Sequence, residues 1–273
     1  MSAATAVFAA LWLSPAAAEE PHDILNVSYD VSRELYADID KAFVAKYKAE
    51  TGEDITVNQS HGGSSKQARA VLDGLQADVV TFNQVTDIHV LHDQADLVAV
   101  DWQSRFPNNS VPYYSLPAFL VRKLFANVPV FDTGGRAATT TFVEHGIGDV
   151  LVTFEAEVQG ISSQYGKDKT DLVIPPVSLR ADFPVAVVDK VVDERGSRKL
   201  AETYLQYLYT PEAQEIIAAH FNRPIDKEVA AKHAKDFANV RLLTVEDVFG
   251  GWQAVQKEHL ANGGILDQLY VNR

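Results

Sequence analysis

The chain has 273 residues, 47% hydrophobic and 22% charged, with no cysteine and a formal net charge of −13. That length suits one large or two modest domains with a real core. The negative charge argues against general nucleic-acid binding, which sets Lys and Arg on phosphates, and the lack of cysteine excludes a disulfide framework, thiolate catalysis and Cys-based zinc sites.

The first apolar stretch, residues 6–13, is broken by Pro15 and followed by Ala16-Ala17-Ala18. It is too short to span a bilayer. It reads as an export signal over residues 1–18 without a basic start, against the alternative of an ordinary N-terminal helix. No later segment reaches transmembrane length, so the mature protein is expected to be soluble and exported.

Residues 24–29 alternate as a strand, with Leu25, Val27 and Tyr29 on one face. Asp30 ends it, and Leu35, Ile39, Ala42 and Phe43 recur at helical spacing up to Gly52. Residues 55–58 form a second strand. Ser60-His61-Gly62-Gly63-Ser64-Ser65-Lys66-Gln67 then reads as a glycine-rich turn opening a helix over 65–75. Such a turn presents unpaired N–H groups at the positive end of a helix, which suits an anion. Residues 77–82 are a third strand, giving βαβαβ with right-handed crossovers and a parallel sheet. Asp30 and Ser64 then lie past the carboxyl ends of adjacent strands, where open α/β sheets hold their ligands.

Residues 101–112 are loop-like and 113–122 apolar again. Residues 128–131 and 149–154 read as strands around a helix over 137–145, and 184–192 as a last extended run. The C-terminal third is helical: Ser197 is a candidate cap, Thr210-Pro211 a helix start, and helices are expected over 244–252 and 253–261.

The residues offer rival chemistries. Ser64 with His61 could be a hydrolase pair, but Gly62-Gly63-Ser64-Ser65-Lys66 lacks the second glycine of the nucleophile elbow. His89 and His92, flanked by Asp87 and Asp93, have a spacing that can hold zinc, although a solvated helix face explains them as well. Lys66 and Arg136 either attract an anion or pair with carboxylates.

Several long motifs carry a resemblance. Asn26-Val27-Ser28-Tyr29-Asp30, residues 59–64 and 77–81, Phe142-Val143-Glu144-His145-Gly146-Ile147-Gly148-Asp149-Val150-Leu151, residues 188–192 and 207–212, and Val248-Phe249-Gly250-Gly251-Trp252 are similar to the sulfate-binding members of the solute-binding components of ABC importers. The resemblance covers residues 24–268. It implies an α/β, two-lobe periplasmic binding protein fold (type II-like) with parallel-sheet lobes. Residues 19–117 with 188–273 would form the first lobe, and 118–187 a shortened second lobe with the crossover strands. It implies a dehydrated sulfate held by neutral donors: the Asp30 N–H, the Ser64 N–H and hydroxyl, and the Gly135 N–H. Gly63, Ser65, Arg136 and Phe154 would line the cleft. No catalytic residue, metal or cofactor is implied. The partners would be sulfate and the permease subunits at the inner membrane, with the protein a periplasmic monomer and no role for nucleic acid.

Two departures from the family pattern imply weakened binding. Phe154 stands where the family has a tryptophan N–H donor, and the chain passes from Lys123 to Leu124 where the family carries a long segment with two more donors. Another oxyanion (thiosulfate, molybdate or phosphate) and a non-binding truncated relic are the alternatives.

Overall fold

A computed structural model of the chain describes residues 21–115, 128–166, 170–261 and 264. The expected signal segment, the junction at Lys123 and Leu124 and most of the apolar run over 113–122 lie outside these residues.

Three parallel strands organise the first half. β1 (Asp23–Tyr29) lies between β2 (Thr56–Gly62) and β3 (Val79–Thr81). They are joined by α1 (Arg33–Thr51), which ends on Gly52 in the left-handed region, and by α2 (Ser64–Leu72). This is the βαβαβ unit expected from the sequence. A fourth strand, β7 (Val185–Val187), pairs antiparallel with β3, so the sheet has the order β2-β1-β3-β7 and is mixed rather than wholly parallel.

Both faces of the sheet are covered, and the period of two sorts its side chains between them. Val79, Val185 and Val187 pack with Ile39, Phe43, Tyr204 and Leu205 on one side. Val80, Ala186 and Val188 pack with Ala68, Val71, Ile88 and Leu91 on the other. The second layer comes from α2 and α3 (Val85–Ala95); the first comes from α1, α8 (Arg198–Tyr207) and α9 (Pro211–Ala219). As read from the sequence, α9 starts with Pro211 at its first position and the Thr210 hydroxyl accepting the Ala213 N–H.

Asp78, fully buried beside β3, ties distant elements together. It accepts from the Leu25 N–H at 2.8 Å, from Arg195 at 2.8 Å and from the Ser197 hydroxyl. Ser197 was expected to cap α8; its side chain instead serves this buried carboxylate, and no side-chain cap is made.

The chain leaves and re-enters this body through short antiparallel segments. The outgoing β4 (Tyr113–Ser115) pairs with the returning β6 (Ala181–Asp182) and with β8 (Arg223–Pro224). Beyond them lie α5 (Gly135–Val143), α6 (Glu155–Tyr165) and one parallel pair, β5 (Val177–Leu179) with β9 (Arg241–Leu243).

Several expected elements differ. Residues 128–131 and 149–153 are not strands. Their β-branched, apolar character reads as strand, but a strand needs a ladder partner, and β5 and β9 are the strands described in this part of the chain. The run over 184–192 stops at Val187, and α7 (Asp189–Arg195) begins because Val191 and Val192 share a buried face. The helix expected over 244–252 breaks at Gly250, φ 74°, into α11 (Val245–Phe249) and α12 (Trp252–Val255). Apolar side chains stand open to solvent along this reduced region: Val150 is 75% and Val173 82% exposed, with Phe131, Ile147, Val152 and Val177 also exposed.

Candidate anion-binding site

The glycine turn is tighter than its sequence suggests. Ser60, His61 and Gly62 continue β2 in register with Val27, Ser28 and Tyr29 of β1, so Gly63 alone links strand to helix and α2 begins at Ser64. The pairing of Tyr29 with Gly62 sets the two chain reversals side by side. After β1, Asp30 opens a short 3-10 turn (Asp30–Ser32) that runs into α1. After β3, the Asn83 N–H donates to the Ser64 hydroxyl at 3.0 Å. All three strand ends therefore meet at Ser64 and Asp30, both at most 9% exposed.

The start of α5 docks onto this place. The Gly135 N–H donates to the Tyr29 hydroxyl at 3.1 Å. A Cβ on Gly63 would strike the Thr133 carbonyl, one on Gly134 the Asp30 carboxylate, and one on Gly135 Val31 and Tyr29. Glycine is required here for close approach. Asp30, Ser64 and Gly135, distant in sequence, are thus gathered in one knot of backbone at helix starts.

Neutral backbone donors stand here beside one buried carboxylate. Burial raises the Asp30 pKa, opposed by the Val31 and Arg136 N–H groups and by the charge of Arg136, and its Oδ1 is buried without a hydrogen-bond partner. Burial and the nearby Arg33 lower the His61 pKa, favouring a neutral ring, and its Nδ1 lies 2.5 Å from the Ser28 hydroxyl. With His61 bonded to Ser28 and Ser64 to Asn83, no Ser64–His61 pair is assembled.

The other sequence-derived candidates are placed as follows. Gly63 forms the link itself. Ser65 gives its hydroxyl to Asp87 at 2.9 Å. Burial pushes Asp87 up to about 6 against that bond. Arg136 pairs with Glu34 at 2.7 Å and approaches Glu157 at 3.6 Å. Phe154 sits edge-on to Tyr29, ring centroids 5.9 Å apart, and against Phe183 at 5.6 Å. Nor do the histidines of α3 form a cluster: His92 bonds the Val98 carbonyl at 2.8 Å and His89 lies edge-on to Trp102. Among the described residues no three His, Asp or Glu side chains are grouped to hold a metal, and no helix is long and apolar enough to cross a membrane. A groove of about 310 Å³ lies along α5 and α6, lined by Val31, Arg136, Glu157 and Phe221 among others, and does not include Asp30, Ser64 or Gly135.

Sequence reasoning missed Tyr29 and Asn83. Tyr29 reads as a core residue of an alternating strand, and nothing local marks its hydroxyl as the acceptor for Gly135.

Known proteins similar to this chain identify its family. A family profile, bacterial extracellular solute-binding protein, matches residues 31–129 and 116–222. The chain belongs to that family. It is 44% identical to the thiosulfate-binding protein of Pseudomonas aeruginosa, covering 93% of this chain and 94% of that protein. It is 40% identical to the sulfate-binding protein of Escherichia coli K12, covering 90% and 92%. Among solved structures, the sulfate-binding protein SubI of Mycobacterium tuberculosis superposes with a TM-score of 0.74 at 25% identity, over 86% of this chain and 98% of that one. The fold is that of the two-lobe binding proteins.

The same comparisons bear on the shortened lobe. The alignment with the Pseudomonas protein runs over 311 positions, while 93% of 273 residues is about 254, so about 57 positions of that relative face no residue here. The two profile matches meet over 116–129, the stretch holding Lys123 and Leu124.

Proposed function

We propose that this chain is a periplasmic capture protein for a fully deprotonated sulfur oxyanion. Sulfate is the favoured ligand, handed to the permease and ATP-binding subunits of an ABC importer. The carrying observation is the meeting of three chain reversals and the α5 start at Asp30, Ser64 and Gly135, with no nucleophile–base pair among them. Backbone N–H groups and a hydroxyl can satisfy an acceptor-only dianion. A protonated oxyanion brings its own O–H, which finds no acceptor among such donors. The chain thus works by binding and release, without a chemical step. Residues 19–117 with 188–273 are read as the first lobe and 118–187 as the second.

Thiosulfate is the second reading, favoured by the 44% identity to a thiosulfate-binding protein. Affinity is read as weakened, because Phe154 carries no N–H and the segment absent between Lys123 and Leu124 carries two donors in the resembling family. Competition among sulfate, thiosulfate and phosphate at pH 6 and pH 8 tests the proposal. Sulfate and thiosulfate should bind equally well at the two pH values, and phosphate should compete poorly at both. Phosphate competing as well as sulfate would overturn it.

A further inference from the structure

The Gly135 N–H, expected to be a direct ligand donor, is already engaged: it donates to the Tyr29 hydroxyl at 3.1 Å. Tyr29 ends β1 one residue before Asp30 and is 5% exposed. No hydrogen bond among the described residues uses its own proton. A phenol that accepts one hydrogen bond still has that proton to give. Burial, with the charge of Asp30 next, pushes its pKa far up, so it remains an O–H at any physiological pH. Its ring lies edge-on to Phe154, the position where the resembling proteins have a tryptophan donor.

We propose that the Tyr29 hydroxyl is a direct donor to the bound oxyanion, backed by the Gly135 N–H, and that it stands in for the donor missing at Phe154. The proposal rests on the oxyanion-binding reading above. In a chain from Gly135 N–H to Tyr29 O–H to anion, the first bond polarises the second and strengthens it. Tyr29 adds a neutral O–H donor beside the Asp30 N–H and the Ser64 N–H and hydroxyl. The role of Gly135 changes: it positions and polarises a side chain instead of touching the ligand.

The two arrangements predict opposite effects of removing the hydroxyl. If Gly135 bound the anion directly, Tyr29→Phe would free its N–H and leave affinity unchanged or improved. If Tyr29 is the donor, the loss should be about tenfold or more, the usual size for one hydrogen bond to a charged group. Calorimetric titrations with sulfate and with thiosulfate on wild type, Tyr29→Phe, Phe154→Trp and the double variant decide between them, alongside melting temperatures of the ligand-free proteins. The expected result is weaker binding by Tyr29→Phe, a melting temperature close to wild type, and recovery of at least half the loss when Phe154→Trp restores an N–H. Wild-type binding with Tyr29→Phe equal or tighter overturns the proposal and leaves the oxyanion reading standing. A loss that follows a lowered melting temperature and is not recovered by Phe154→Trp also overturns it, assigning Tyr29 to packing. No heat from either anion with any of the four proteins overturns both.

Discussion

Replacing Ser64 by alanine separates the bond that the structure shows at this hydroxyl from the ligand bond that the proposed function assigns to it. Its oxygen accepts the Asn83 N–H at 3.0 Å in a site 4% exposed. Losing that acceptor strands a buried donor and should cost about 1–2 kcal/mol of stability. For a chain of this size that is a fall of roughly 2–8 °C in melting temperature. Under the proposed function the hydroxyl proton also donates to the ligand, and a bond to a charged group is worth about 1.5–3 kcal/mol, so affinity should fall about 10- to 150-fold. Ser65→Ala is the matched control, because the Ser65 hydroxyl is given to Asp87 at 2.9 Å. It should lower the melting temperature and leave affinity within about twofold. Calorimetry with sulfate and thermal unfolding on both variants provide the readings. Equal effects of the two variants on affinity, or a Ser64→Ala protein that binds as wild type, would refute the placement of Ser64 in the site.

Three further outcomes follow from the packing. Asp78→Ala should cost about 3–5 kcal/mol in urea unfolding, since it strands the Leu25 N–H, Arg195 and Ser197 around a buried position; a loss under about 1 kcal/mol would show the cluster to be dispensable. Gly63→Ala would drive a Cβ into the Thr133 carbonyl, so sulfate affinity should fall more than about tenfold because α5 can no longer dock; unchanged affinity would show that this contact does not belong to the bound form.

The third concerns pH. Burial pushes the Asp40 carboxyl up to about 7, against hydrogen bonds from Tyr204 and Gln59. The folded value exceeds the unfolded one of about 3.9, so between roughly pH 4 and 7 the folded state alone keeps the proton. Stability from this group is therefore lost as pH rises through that window. Asp40→Asn cannot ionise and can donate to the Gln59 Oε1, which is buried without a partner. Its stability relative to wild type should rise from pH 4.5 to pH 7.5 in urea titrations, and a constant difference would contradict the assignment.

The first half of the fold was legible because its signals are local. Alternation in β1, helical spacing from Leu35 to Phe43, and the stops at Gly52 and Gly63 each act within a few residues. Asp30 and Ser64 could be placed together because adjacent parallel strands bring their carboxyl ends into line. What depends on distant partners was not legible. Asp78 reads as a polar residue inside a strand, yet it is bonded to Arg195, 117 positions away. β7 reads as extended, but nothing in it sets its antiparallel direction. Residues 128–131 and 149–153 have the composition of strands and join no ladder among the described residues. The Tyr29 hydroxyl was hidden for the same reason, its partner being Gly135, 106 positions away.

Capture of a sulfur oxyanion by a site with fewer donors than the resembling proteins is tested most directly by one calorimetric titration of the purified protein with sulfate. The account predicts saturable binding with a Kd weaker than about 1 µM and tighter than about 1 mM. Submicromolar binding would contradict the weakened site, and no saturation at millimolar sulfate would contradict sulfate capture itself.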